Sequence, residues 1–126
     1  MKKIINSELA PAPVGPYSHS VLKNGFLFVS GQIPMNQETG ELILEDIEKA
    51  THQVMQNLKH ILTEAEMNFD DVIKATIFIT DMNNFPKVNE VYGSYFTEGL
   101  EPSRETVEVA GLPRGVHVEI SVIASK

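Results

Sequence analysis

The chain reads as an α+β domain with element order ββαβαββ, a mixed sheet carrying both helices on one face. Three observations predict this. From Asp46 to Ala65, the residues Ile47, Ala50, Val54, Leu58, Ile61, Leu62 and Ala65 recur at three- and four-residue steps, forming one face of a long amphipathic helix. Short β-branched or aromatic segments bounded by Gly, Pro and Asn lie on either side of it. The length of 126 residues with 42% hydrophobic content suits a single domain, residues 1–126, with a modest core. Two helices on one face leave the other face of the sheet bare, which predicts that subunits cover one another.

The N-terminal stretch Ala10-Pro11-Ala12-Pro13-Val14-Gly15-Pro16-Tyr17 is too proline-rich for helix or central strand and reads as an ordered loop. A weak strand around Ser20 to Leu22 precedes a buried-type strand from Gly25 to Ile33. Asn36 to Gly40 carries turn chemistry. After the long helix, Asn68 and Asp70 break the pattern, and Val72 to Thr80 reads as a central strand. Asn83 or Asn84 can cap a second helix that tolerates Pro86 in its first turn and buries Phe85, Val88, Val91, Tyr92, Tyr95 and Phe96. Two strands near Arg104 to Ala110 and Val116 to Ala124 follow, and Gly111-Leu112-Pro113-Arg114-Gly115 between them predicts a hairpin turn.

Composition removes several classes of chemistry. With no cysteine there is no disulfide, thiolate metal ligand or cysteine nucleophile. A net charge of −7 argues against a dedicated nucleic-acid binder, which needs a basic face. Met1 to Leu9 lacks the apolar run of a signal peptide, and no segment is apolar for long enough to span a bilayer, so a cytoplasmic location is expected. His19, His52, His60 and His117 share no metal-ligand spacing. The glycines form no phosphate-binding loop, and Ser18 and Ser30 lack a nucleophile-elbow context.

The last two strands carry the informative polar residues. Val107 and Val109 alternate with Arg104, Thr106 and Glu108, while Val118, Ile120 and Val122 alternate with His117, Glu119 and Ser121. Matching the apolar sets across a hairpin puts Arg104, Thr106, Glu108, His117, Glu119 and Ser121 on one face. If Thr106 sits opposite Glu119, Arg104 lies about 7 Å away along the strand, room for a small polar molecule. A guanidinium can fork onto a carboxylate, and a nearby carboxylate can activate water. The same pattern also fits a solvated Arg–Glu pair worth under about 1 kcal/mol.

Several motifs decide between those readings. Gly15-Pro16-Tyr17-Ser18, Val29-Ser30-Gly31-Gln32-Ile33-Pro34, Thr80-Asp81-Met82-Asn83 and Val88-Asn89-Glu90-Val91-Tyr92 occur in order. They are followed by Pro102-Ser103-Arg104, Val107-Glu108-Val109, Leu112-Pro113 and Val118-Glu119-Ile120. Along essentially its whole length the chain resembles the reactive-intermediate deaminase family, RidA, also called YjgF or liver perchloric-acid-soluble protein (L-PSP). The resemblance implies a homotrimer of chorismate-mutase-like subunits around a central barrel, with clefts between neighbours. It implies hydrolysis of 2-imino and enamine acids, such as 2-iminobutanoate and 2-iminopropanoate with its enamine 2-aminoacrylate, to 2-keto acids and ammonia. Arg104 would hold the substrate carboxylate and Glu119 would position or activate water. Tyr17, Ser30, Gly31, Asn89 and Thr106 would line the cleft, with no metal or organic cofactor. Competing readings are an endoribonuclease or translation inhibitor, and a keto-acid-binding trimer without turnover. The chain departs from the family pattern at Thr106, where many relatives carry cysteine, at Glu105, where small residues are common, and at His19, which replaces a frequent glutamine.

Overall fold

The computed structural model describes residues Met1–Lys126. Its elements are β1 (Lys3–Ile5), β2 (Ser20–Lys23), β3 (Phe26–Gln32), α1 (Ile47–Glu64), β4 (Val72–Ile79), α2 (Phe85–Gly93), β5 (Ser103–Glu108) and β6 (Val118–Ser125). The six strands form one sheet in the order β1-β2-β3-β6-β4-β5. All pairings are antiparallel except β4 with β5, whose parallel alignment needs a crossover that α2 supplies. The expected α+β architecture is therefore present, with one strand more than the sequence pattern predicts. That strand, β1, is three residues long and begins on Lys3, as suits a sheet edge.

α1 starts where its cap permits. The Asp46 carboxylate accepts the backbone N–H groups of Glu48 and Lys49, both at 3.1 Å, satisfying donors the first turn leaves free. Its buried stripe, including Val54, Leu58, Ile61 and Leu62, packs with Ile77, Ile79, Val118 and Ile120 in one continuous core. The start of α2 differs from expectation. Asp81 caps a short 3₁₀ turn through the Asn83 N–H, and the Asn84 side chain makes no capping bond.

Strand alternation separates the two faces of the sheet. In β6, Val118, Ile120, Val122 and Ala124 point into the helix-covered core, while Glu119, Ser121, Ile123 and Ser125 point the other way. The uncovered face also carries Phe26, Phe28 and Val107, which remain 42%, 50% and 41% exposed. Within one chain, nothing packs over these side chains.

The predicted hairpin between the last two strands is not formed. β4 lies between β5 and β6 and pairs with both. The apolar β4 takes the sheet interior, whereas β5, with Ser103, Arg104, Glu105, Thr106 and Glu108, is polar enough for an edge. The Gly111–Gly115 segment contains a 3₁₀ turn at Pro113–Gly115, with Arg114 at φ 59°, and leads from the edge strand to the sheet interior. The faces are reassigned accordingly. Arg104 aligns with Ala75, and Thr106 with Ile77 and through it Ile120, all on the helix side. Glu119 aligns with Phe78 and Val107 on the bare side.

Candidate functional site

The residues singled out from the sequence fall into two groups on opposite faces of the sheet. Glu119 anchors the first. Pairing between β3 and β6 shifts register between Val29 and Gln32, so Ser30 and Gly31 occupy an irregularity beside Glu119. A Cβ at Gly31 would lie 2.5 Å from Glu119 Oε2, so glycine leaves the Glu119 carboxylate the place that a larger residue would push it from. Burial raises the Glu119 pKa above its ordinary value of 4.5, because desolvation penalises the charged form.

Glu119 faces a cavity of about 440 Å³ lined also by Tyr17, Ser30, Gly31, Ile33 and Arg114. Ser30 Oγ donates to the Ser18 carbonyl at 2.7 Å, and Ser30 N–H donates to the His19 carbonyl at 2.9 Å, tying β3 to the proline-rich loop. Tyr17 is half exposed at the tip of that loop, its hydroxyl accepting the Val14 N–H at 3.4 Å.

His19, without a role at the level of sequence, fastens the loop from below. It is buried, and its Nδ1 accepts the Ser7 N–H at 3.1 Å while Nε2 lies 2.5 Å from the Pro11 carbonyl. Because Nδ1 is the acceptor, Nε2 carries the proton and donates to Pro11. One neutral imidazole thus ties Ser7 to Pro11, which lines the same cavity as Tyr17.

Arg104 anchors the second group, on the edge strand β5 and on the other face. Its Nη1 donates to Asn89 Oδ1 at 2.6 Å, and its Cζ lies 5.3 Å from the Phe85 ring centroid and 5.2 Å from that of Tyr92. Thr106, two residues along β5, shares this face. Its Oγ1 and the Tyr92 hydroxyl are buried side-chain oxygens with no hydrogen-bond partner. Desolvation pushes the Tyr92 phenol up to about 12, despite the opposing effect of Arg104, so it stays protonated.

The separation expected from a hairpin, about 7 Å on one face, is therefore corrected. Two strand spacings, roughly 10 Å, and the thickness of the sheet divide Arg104 from Glu119. Tyr17, Ser30, Gly31 and Glu119 come together, and so do Asn89, Arg104 and Thr106. Within one chain the two groups do not meet.

Sequence reasoning missed Arg114 as a cavity residue and read Phe85 and Tyr92 only as core. Their spacing of four and three residues from Asn89 could have shown that they share its side of α2. No three His, Asp or Glu side chains converge as metal ligands would. No helix is long and apolar enough to cross a membrane.

Comparison with known proteins agrees with this architecture. The family profile described as Endoribonuclease L-PSP matches residues 7–126. A RutC family protein of Pyrococcus horikoshii is 48% identical over 126 residues, covering 100% of this chain and 99% of its own. A structure from Yersinia pestis, of the conserved Rid protein family, superposes with a TM-score of 0.97 at 47% identity, covering 100% of both chains. TdcF of Escherichia coli with bound serine superposes with a TM-score of 0.92 at 40% identity, covering 98% of each chain. On motif order, fold and whole-chain similarity alike, the protein belongs to the Rid/L-PSP family.

Proposed function

We propose that the protein is a hydrolytic deaminase of reactive 2-imino and enamine acids, acting as a cytoplasmic homotrimer with its sites between subunits. One observation carries the reading. The chain bears two complementary half-sites, a desolvated carboxylate in a cavity and an exposed, oriented guanidinium, on opposite faces of one sheet. A second copy whose β5 edge lies against the bare face would bring its Arg104 group to the Glu119 group of its neighbour. Exposed Phe26, Phe28 and Val107 favour such packing, since burying apolar surface drives association.

The chemistry follows from the groups. Arg104 holds the substrate carboxylate by two parallel hydrogen bonds, with Thr106 Oγ1 and Asn89 beside it. Tyr17, Ser30 and Gly31 line the space for the imine carbon. Glu119 accepts a proton from water as the oxygen attacks C2. Returned to the imine nitrogen, that proton completes the carbinolamine. A second transfer, from the C2 hydroxyl through Glu119 to the amine, lets the C–N bond break as C=O forms, and a 2-keto acid and ammonia leave. A carboxylate with a raised pKa is the better base for this work. No metal or organic cofactor enters the scheme. TdcF, a related structure, holds serine, an amino acid of similar size to 2-iminobutanoate.

The test is ammonia release from 2-iminobutanoate generated in situ by a threonine dehydratase. The wild type accelerates it, and Arg104→Ala lowers kcat/KM about a hundredfold or more by removing a charged, bidentate anchor. Acceleration that survives Arg104→Ala contradicts the assignment.

The profile's description favours a second reading, RNA cleavage. A net charge of −7 opposes it, since phosphate recruitment needs a basic surface. Cleavage of a defined RNA by nuclease-free protein, lost in Arg104→Ala, would favour it. Calorimetric binding of a 2-keto acid without turnover of any imine would favour a sensing trimer instead.

A further inference from the structure

Phe85, Asn89 and Tyr92 follow one another at four- and three-residue steps along α2, so they share one side of the helix. Seven residues span about 10.5 Å of helix axis. Arg104 Cζ stands 5.3 Å from the Phe85 centroid and 5.2 Å from the Tyr92 centroid, so the guanidinium is equidistant from the two rings and over both. Asn89, on the turn between them, accepts from Nη1 at 2.6 Å. The cation thus has an aromatic ring on two sides and an amide at one end. Tyr92 is only 4% exposed and its hydroxyl has no partner, so it meets Arg104 as a neutral ring.

The geometry points to a slot: Phe85, Asn89 and Tyr92 are positioning residues that let the Arg104 fork accept a planar carboxylate and exclude a tetrahedral anion. The inference rests on Arg104 being the carboxylate anchor. With Nη1 engaged by Asn89, the Nε–Nη2 edge remains for a ligand. A carboxylate fits that edge with both oxygens in the guanidinium plane. A phosphonate has a third oxygen out of that plane, which the slot would set against a flanking ring. A point charge would not discriminate in this way, because a phosphonate carries at least as much charge as a carboxylate. The slot therefore restricts the anionic group to a carboxylate and excludes its phosphonate isostere.

The probes are pyruvate and acetylphosphonate, which share a carbon skeleton up to the anionic group, titrated calorimetrically into the assembled protein. Wild type should bind pyruvate at least about tenfold more tightly, a margin within reach of one well-built pocket contact. Phe85→Leu and Asn89→Ala should bring the two affinities within about threefold and raise KM for 2-iminobutanoate more than they lower kcat. Tyr92→Phe keeps the ring and should keep the preference. A purely structural role would lower the melting temperature of Phe85→Leu and leave the affinity ratio alone. Equal binding of the two anions by an active wild type, or an unchanged ratio in Phe85→Leu, overturns the slot. A wild type that neither binds pyruvate nor releases ammonia overturns the functional reading beneath it.

Discussion

Glu119 and Arg104 lie on strands that flank the same central strand, β4, yet their surroundings are built in different ways. Glu119 sits in the sheet interior, against a glycine that leaves room for its carboxylate, in a cavity closed by a stapled loop. Burial works against its charge. Arg104 sits on an edge strand, open to solvent, and owes its orientation to side chains of α2. One region holds a costly charge within the fold, and the other presents a fixed cation at its rim. On the proposed function, reactivity needs desolvation and recognition by a second chain needs exposure, which the two faces of one sheet would supply.

The contrast predicts opposite responses to substitution. Glu119→Gln should lower kcat by about a thousandfold, the range expected for loss of a general base. It should also melt at a higher temperature than wild type at pH 7. Because the folded pKa is raised, ionised Glu119 opposes folding above that pKa, and glutamine removes this opposition. The thermal advantage should shrink as pH falls through the folded pKa, where wild type becomes neutral too. Wild-type activity should disappear over the same acid range, which lies above 4.5.

Gly31→Ala comes next. Its Cβ would displace the Glu119 carboxylate, and a shift of about 1 Å can cost about a hundredfold in rate. Activity should fall while the Arg104 side, and with it keto-acid recognition, is disturbed less. A Gly31→Ala enzyme with wild-type kcat would mean that Glu119 is not held where the chemistry needs it.

The smallest effect belongs to His19→Ala. It leaves the buried Ser7 N–H unpaired and should destabilise the protein by about 2 kcal/mol, measured by denaturant unfolding. Activity should fall only a few-fold, through slackening of the loop that carries Tyr17. A loss as large as that of Glu119→Gln would make His19 a participant and not a fastening.

The sequence revealed the two regions unequally. α1 and β4 were readable because long periodic or β-branched segments bury their apolar residues whatever their neighbours are. β1 was not, since three residues beginning on Lys3 carry no period. The hairpin error has a clear cause. Alternation within a strand assigns faces relative to that strand alone and does not say which strands are neighbours. Val107 and Ile120 both look like core residues, but β4 lies between their strands and they point to opposite faces. The strand–helix–strand order around Phe85–Gly93 was the counter-signal, because it favours parallel pairing of β4 with β5. The site residues were named from local motifs, but their division between two faces depends on strand order. His19 and the Phe85–Tyr92 pair escaped because a buried imidazole and an aromatic stripe look like ordinary core until their partners are visible.

A shared site between subunits is the central claim, and mixing two inactive variants tests it most directly. Under that claim, Arg104→Ala and Glu119→Gln should each be nearly inactive as pure homotrimers. Unfolded together and refolded at equal ratio, they form interfaces at random, and about one site in four receives intact Arg104 from one chain and intact Glu119 from its neighbour. Ammonia release from 2-iminobutanoate should return to about a quarter of the wild-type rate per site. Mixed trimers that form and stay inactive would contradict a site built from two chains.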